Sequence, residues 1–149
     1  MRAHCLFVLA ALFASGCAPL TFSNQGALNF ELYRAVLVRD VDTEVGFDGA
    51  AYLAGELATY SGFSTVTTDP RARVDLVLTV DVRVRRTTTV DSDGFVDVSY
   101  ESRATFRAIA ADQREVDSGA VEDASESDVE AVQDVLDEIA HHYLAPYRA

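Results

Sequence analysis

Over residues 73–89 the chain alternates apolar and polar side chains with a regularity that leaves little structural choice. Val74, Leu76, Leu78, Val80, Val82 and Val84 fall on one side, and Asp75, Thr79, Asp81, Arg83 and Arg85 on the other, with Val77 the exception. Successive side chains of a strand point to opposite faces, so a period of two predicts a half-buried antiparallel strand with a solvated outer face. Asp91-Ser92-Asp93-Gly94 supplies a turn. The return strand, residues 95–110, places Val96, Val98, Tyr100, Ala104, Phe106 and Ala108 on the core face. Two registers keep that face apolar. Pairing Val90 with Gly94 sets Arg83 opposite Glu101 and Asp81 opposite Arg103, which cross-strand charge favours. A three-residue loop with Gly94 in the left-handed region pairs Asp91 with Phe95 and sets Arg83 opposite Arg103.

The elements around this hairpin follow from shorter signals. Residues 30–41 read as a first strand, with Val36, Leu37 and Val38 apolar on both faces. A helix is expected over 48–61, with Asp48 as N-cap, Ala51, Ala54, Leu57 and Ala58 as a sheet-packing face, and Gly62 as the residue after its end. Gly49 and Gly55 carry no expected role beyond lowered helix propensity. A short strand follows over 63–67, and a weaker last strand over 115–121 reads as a sheet edge. Ser127-Asp128-Val129-Glu130 forms a capping box. Behind it Val129, Val132, Leu136, Ile139 and Tyr143 recur at three-four spacing, and Pro146 ends the helix. The order specifies an α+β two-layer sandwich, with two helices on one face of a mostly antiparallel four- to five-stranded sheet.

Charge narrows the partners. All twelve basic side chains are arginine, against twenty-four acidic ones. Such a balance argues against nucleic-acid binding and against an electrostatic grip on an anionic membrane. The cationic cluster is Arg83, Arg85 and Arg86, beside Asp81 and Glu101. Arginine there suits phosphate or carboxylate recognition, or it is a strand face balanced by acids. Asp91, Asp93 and Asp97 have a calcium-loop spacing without a distal bidentate Glu, so a plain turn accounts for them. His141 and His142 point about a hundred degrees apart on a helix and cannot readily chelate one ion together; the negative helix end favours them. No nucleophile elbow, phosphate loop or zinc spacing is present. The sequence implies no catalytic residue, metal or cofactor.

The N-terminus carries an address. Met1-Arg2-Ala3-His4 and the apolar run from Cys5 to Ala14 have the length and flanks of a secretory signal, too short for a spanning helix. Ala14-Ser15-Gly16-Cys17 resembles the lipobox of bacterial lipoproteins. That resemblance implies a signal peptide over 1–16, acyl chains on Cys17 as the new first residue, a tether over 17–28 and one domain over 29–149. The other outcome is an ordinary secreted protein, cleaved later, with Cys17 lost or left as a lone thiol. Acyl chains add about 0.8 kcal/mol per buried methylene, enough for permanent anchoring with two or three chains. Ala18, which is not Asp, favours by the same resemblance the outer membrane, with the domain facing the periplasm.

The order of elements, the Tyr60-Ser61-Gly62-Phe63 helix end, Val74-Asp75-Leu76-Val77-Leu78 and the long hairpin resemble the LptE-type lipopolysaccharide-assembly lipoproteins. This implies a non-enzymatic partner of an outer-membrane β-barrel, with Arg83, Arg85 and Arg86 at the positions that contact lipid A phosphates in that family. The alternatives are an accessory lipoprotein of another envelope machine (cell wall, secretion or motility) and a lipid-anchored ligand-binding protein or enzyme.

Overall fold

The computed structural model describes residues 21–22 and 28–144. Its elements are β1 (Thr21–Phe22), β2 (Ala35–Asp42), α1 (Gly49–Tyr60), β3 (Thr65–Thr67), β4 (Leu76–Val90), β5 (Val96–Ala110), β6 (Glu115–Ser125) and α2 (Asp128–His142). The strands form one sheet in the order β1-β6-β5-β4-β2-β3. The pairings among β1, β6, β5 and β4 are antiparallel, whereas β2 runs parallel to both β4 and β3. The α+β class stands, and the sheet is mixed. Parallel neighbours arise because α1 carries the chain back across the sheet between β2 and β3. The two-residue β1 falls within the stretch read as a tether and covers β6 at Ala120 and Gly119, so β6 is not a free edge there.

Both helices pack on one face, over Val36 and Val38 of β2, Leu76, Leu78, Val80 and Val82 of β4, Ala104, Phe106 and Ala108 of β5, and Val121 of β6. The first strand starts later than the sequence pattern suggests, since Phe30, Glu31 and Leu32 make a turn and pairing begins at Ala35. In α1, Asp48 is the N-cap, its carboxylate accepting from the Ala51 amide at 3.0 Å. The buried side chains of α1 are Leu53 and Leu57; of the expected packing face Leu57 is buried and Ala54 packs partly against the core, whereas Ala51 and Ala58 face solvent. Leucine buries more apolar area than alanine, and the helix turns to put it inward.

Two glycines are explained by space. A Cβ on Gly49 would lie 2.6 Å from Thr43 Cγ2, and one on Gly62 would lie 2.6 Å from the Phe30 ring. Gly62 follows the helix as expected, but close approach is its reason, because its φ is not positive.

In α2, Ser127 Oγ accepts from the Glu130 amide at 3.1 Å. Ala131, Val132, Val135, Leu136, Ile139 and Ala140 are buried, while Val129 is partly exposed at the first turn. Ser102 on β5 ties this helix to the sheet, its buried hydroxyl donating to the Ala131 carbonyl at 2.7 Å.

Candidate functional site

The hairpin takes the three-residue loop. Val90 pairs with Val96, the Gly94 amide donates to the Asp91 carbonyl at 3.1 Å, and Gly94 has a φ of +83°. Asp91 Oδ1 accepts from the Asp93 and Phe95 amides, both at 2.9 Å, so its carboxylate is spent on the turn. This register sets Arg83 opposite Arg103 and departs from the one that cross-strand charge favours. Backbone geometry at the loop outweighs a pair of exposed charges that find other partners. Arg83 pairs with Glu44 and, at 2.9 Å, with Asp81; Arg103 pairs with Glu122 at 3.1 Å. Hydrogen bonds to Glu44 and then Asp81 hold the Arg83 guanidinium above its ordinary range.

The expected arginine cluster is divided by the pleat. Arg83 and Arg85 share the face away from the helices, and Arg86 lies on the other. Arg85 and Arg86 make no ion pair among the described residues. Arg39, Arg103 and Arg107 complete the arginines of the outer face, each matched by an acid: Asp40, Glu122 and Glu115. Hydrogen bonds from Ser118 first and Arg107 second hold the Glu115 carboxyl below its ordinary range.

Beyond Tyr100, the last residue of β5 to pair with β6, the two strands of the hairpin continue alone. α2 begins at this level and runs the other way, so no helix covers the rest of the apolar face. On that face Val90 and Val96 are 64% and 62% exposed, and Phe95, beside the turn and out of that alternation, is 74% exposed. The expected core positions Val96 and Val98 therefore lie outside the core, Val98 only partly covered.

At the opposite end of the sheet, the foot of α2 holds a polar group that sequence reading misses. His142 Nε2 lies 2.6 Å from Asp117 Oδ2, both side chains largely buried. The other Asp117 oxygen and the Tyr143 hydroxyl are buried beside this pair. Burial pushes the Tyr143 phenol well above its ordinary value, and the Asp117 charge adds to it. Phe106 closes the group, 5.3 Å from the His142 ring and 6.0 Å from that of Tyr143. The helix end accounts for His141, which is exposed, but His142 has a specific partner. The signal for it was a lone Asp on a core-facing strand position, visible only once Asp117 is paired with Ala108.

Also at the foot, Phe30 stacks edge-on against Phe63 at 5.1 Å and borders a hollow of about 350 Å³ lined by Phe30, Glu31, Arg34, Gly62 and Ser64. Among the described residues no group of three His, Cys, Asp or Glu is placed to hold a metal ion. Cys17 lies outside the described residues.

No family model matches the chain, and no curated protein is detectably similar in sequence. Similarity is found among solved structures. A single-substitution variant of the PelC dodecamer from Paraburkholderia phytofirmans aligns at TM-score 0.62 and 15% identity, covering 85% of this chain and 97% of that one. A second PelC dodecamer structure from the same organism aligns equally well, at 14% identity over 86% and 98%. A PDZ domain protein from Parabacteroides distasonis aligns at TM-score 0.54 and 12% identity, covering 88% of this chain and 36% of that one. At these identities the likeness is one of fold.

Proposed function

We propose that this chain is a lipid-anchored, non-enzymatic accessory protein of the bacterial envelope, working as one of several identical copies in an assembly. Two things support the reading. The lipobox at Cys17 provides the address. The observation that carries the assembly is the nearly end-to-end alignment with PelC, whose structure is a dodecamer. The arrangement of titratable groups fits a structural role: Asp117 and His142 are consumed by one another inside the fold, and the outer-face arginines are largely matched by acids.

The test has two parts. Labelled fatty acid should label the wild-type chain and not Cys17→Ala; label on the variant overturns the anchor. Native mass spectrometry of the detergent-extracted chain should give a defined multiple of the protomer mass. A single-copy mass overturns the assembly.

A second reading keeps the β-barrel partner suggested by the LptE-like layout. It is favoured by Arg85 and Arg86, cations of the hairpin without an ion pair among the described residues. Arg83 contributes less, since Glu44 and Asp81 already hold it. Co-purification of a large β-barrel, lost together with lipopolysaccharide binding in Arg85→Glu/Arg86→Glu, is the expected result. Absence of any barrel from the extract overturns it.

A further inference from the structure

The two strands that run on past Tyr100 make a ribbon with unlike sides. The side that continues the core carries Val90 opposite Val96 and Thr88 opposite Val98. The other side carries Thr89 opposite Asp97, Thr87 opposite Ser99 and Arg85 opposite Glu101. Val90 and Val96 are exposed, and no helix reaches them. At the root of this valine side Arg86 stands opposite Tyr100, and Arg86 has no ion pair among the described residues. Apolar side chains followed by a tyrosine and an arginine match the layers of a bilayer surface, hydrocarbon first and headgroups next.

The N-terminal strand indicates where such a surface lies. β1 is antiparallel to β6, with Phe22 opposite Gly119 and Thr21 opposite Ala120. Followed backwards from Phe22 to Thr21, the chain heads along β6 towards Ser125, which pairs with Tyr100 at the root of the ribbon. Cys17 is four residues further back, at most about 14 Å from Thr21. Ala120 is level with Thr105, nine residues along β5 from Val96, and that length of strand spans about 30 Å. On this heading the ribbon overshoots Cys17 by about 15 Å. It therefore meets any bilayer that holds acyl chains on Cys17.

The acids of the hairpin set the depth. Asp91 is spent on the turn amides, Asp97 and Glu101 stand on the side away from the valines, and Asp93 is exposed at the turn. An upright ribbon would carry Asp93 and Asp97 into hydrocarbon, which is costly. A ribbon lying on its valine side keeps Asp97 and Glu101 in water.

We propose that the valine side of the hairpin rests on the phospholipid surface that anchors Cys17, so that the domain is held at two points and its foot faces away from the membrane. This rests on the anchor reading above. Three valines are too small a patch to hold a free protein on a bilayer, so the contact orients a domain that is already anchored.

The chain contains no tryptophan, so a single one reports its own surroundings. The full lipidated chain is reconstituted in phosphatidylcholine vesicles that include brominated phosphatidylcholine. Val96→Trp should be quenched at least threefold more than Tyr60→Trp, at the foot beside the Ser61–Leu144 bridge. Adding Val90→Asp to Val96→Trp should remove most of that difference with circular dichroism unchanged, since Val90 already faces solvent. Equal quenching at the two positions, or none at either, in chain that floats with the vesicles overturns the contact and leaves the anchor standing. Val96→Trp emission that shifts blue without quenching overturns it in favour of a protein partner at the tip. Wild-type chain that does not float overturns the anchor reading and the contact with it.

Discussion

Arg83 and Arg103 stand directly opposite one another across β4 and β5, and each guanidinium turns away to a different acid. Like charges at paired positions repel in isolation. Here the repulsion is dispersed because β4 and β5 each have another source of carboxylates, the loop after β2 for Arg83 and β6 for Arg103. These are exposed ion pairs, which contribute little to stability and are screened by salt. Arg83→Ala is therefore expected to leave the urea midpoint and the hairpin register unchanged, as read by denaturation and by amide exchange along β4. A collapse of protection over residues 83–90 would show that the pairs, and not the Gly94 loop, set the register.

Ser102 is the buried link between the sheet and the start of α2. Ser102→Ala leaves the Ala131 carbonyl without its side-chain donor and is expected to cost about 1 kcal/mol in urea unfolding. The loss should appear as faster amide exchange in the first turns of α2.

His142 and Asp117 pin the other end of that helix. His142→Ala strands a buried carboxylate, at an expected cost of about 3 kcal/mol. Asp117→Asn, which keeps an acceptor without the charge, should cost less. Equal losses in the two variants would mean that loss of the ion pair itself, and not the stranded charge, carries the effect.

Two phenols make stability sensitive to alkali. Burial, then the hydrogen bond to Asp137, pushes the Tyr52 phenol above its ordinary value of 10.0, and burial does the same for Tyr143. A raised value means that the folded state favours the protonated phenol. That contribution is complete below pH 10, where the unfolded chain also keeps its protons, and is lost as pH rises towards the folded-state values. The urea midpoint should fall above pH 10, and less steeply in Tyr52→Phe. Phenolate absorbance should show two tyrosines ionising late, together with unfolding.

Glycines 62 and 55 separate close approach from propensity. Gly62→Ala forces a methyl into the Phe30 ring, which Phe63 backs, and should cost about 1–3 kcal/mol. At Gly55 a Cβ meets nothing within 4 Å, so Gly55→Ala should stabilise by about 0.5–1 kcal/mol. Thermal melts of the two variants moving in opposite directions is the expected outcome.

Local pattern alone determined much of this molecule. Period-two alternation announced β4 and β5, Asp48 and Ser127 announced the starts of both helices, and the buried face of α2 was legible in Val132, Leu136 and Ile139. These signals are local, since a strand or an amphipathic helix is encoded by which side each residue must bury. Tertiary structure decided what depends on distant neighbours. It chose the register that opposes Arg83 to Arg103, because a glycine loop geometry outweighs screened charges. It turned Leu53 of α1 inward in place of Ala51 and Ala58, because area buried against a particular sheet decides a helix's rotation. It also brought Asp117 beneath His142, twenty-five residues away. The alternation continued past the reach of the helices, and only their lengths in space left Val90 and Val96 uncovered. A pattern can say which face of a strand is apolar, but whether anything covers that face is settled by where the rest of the chain ends.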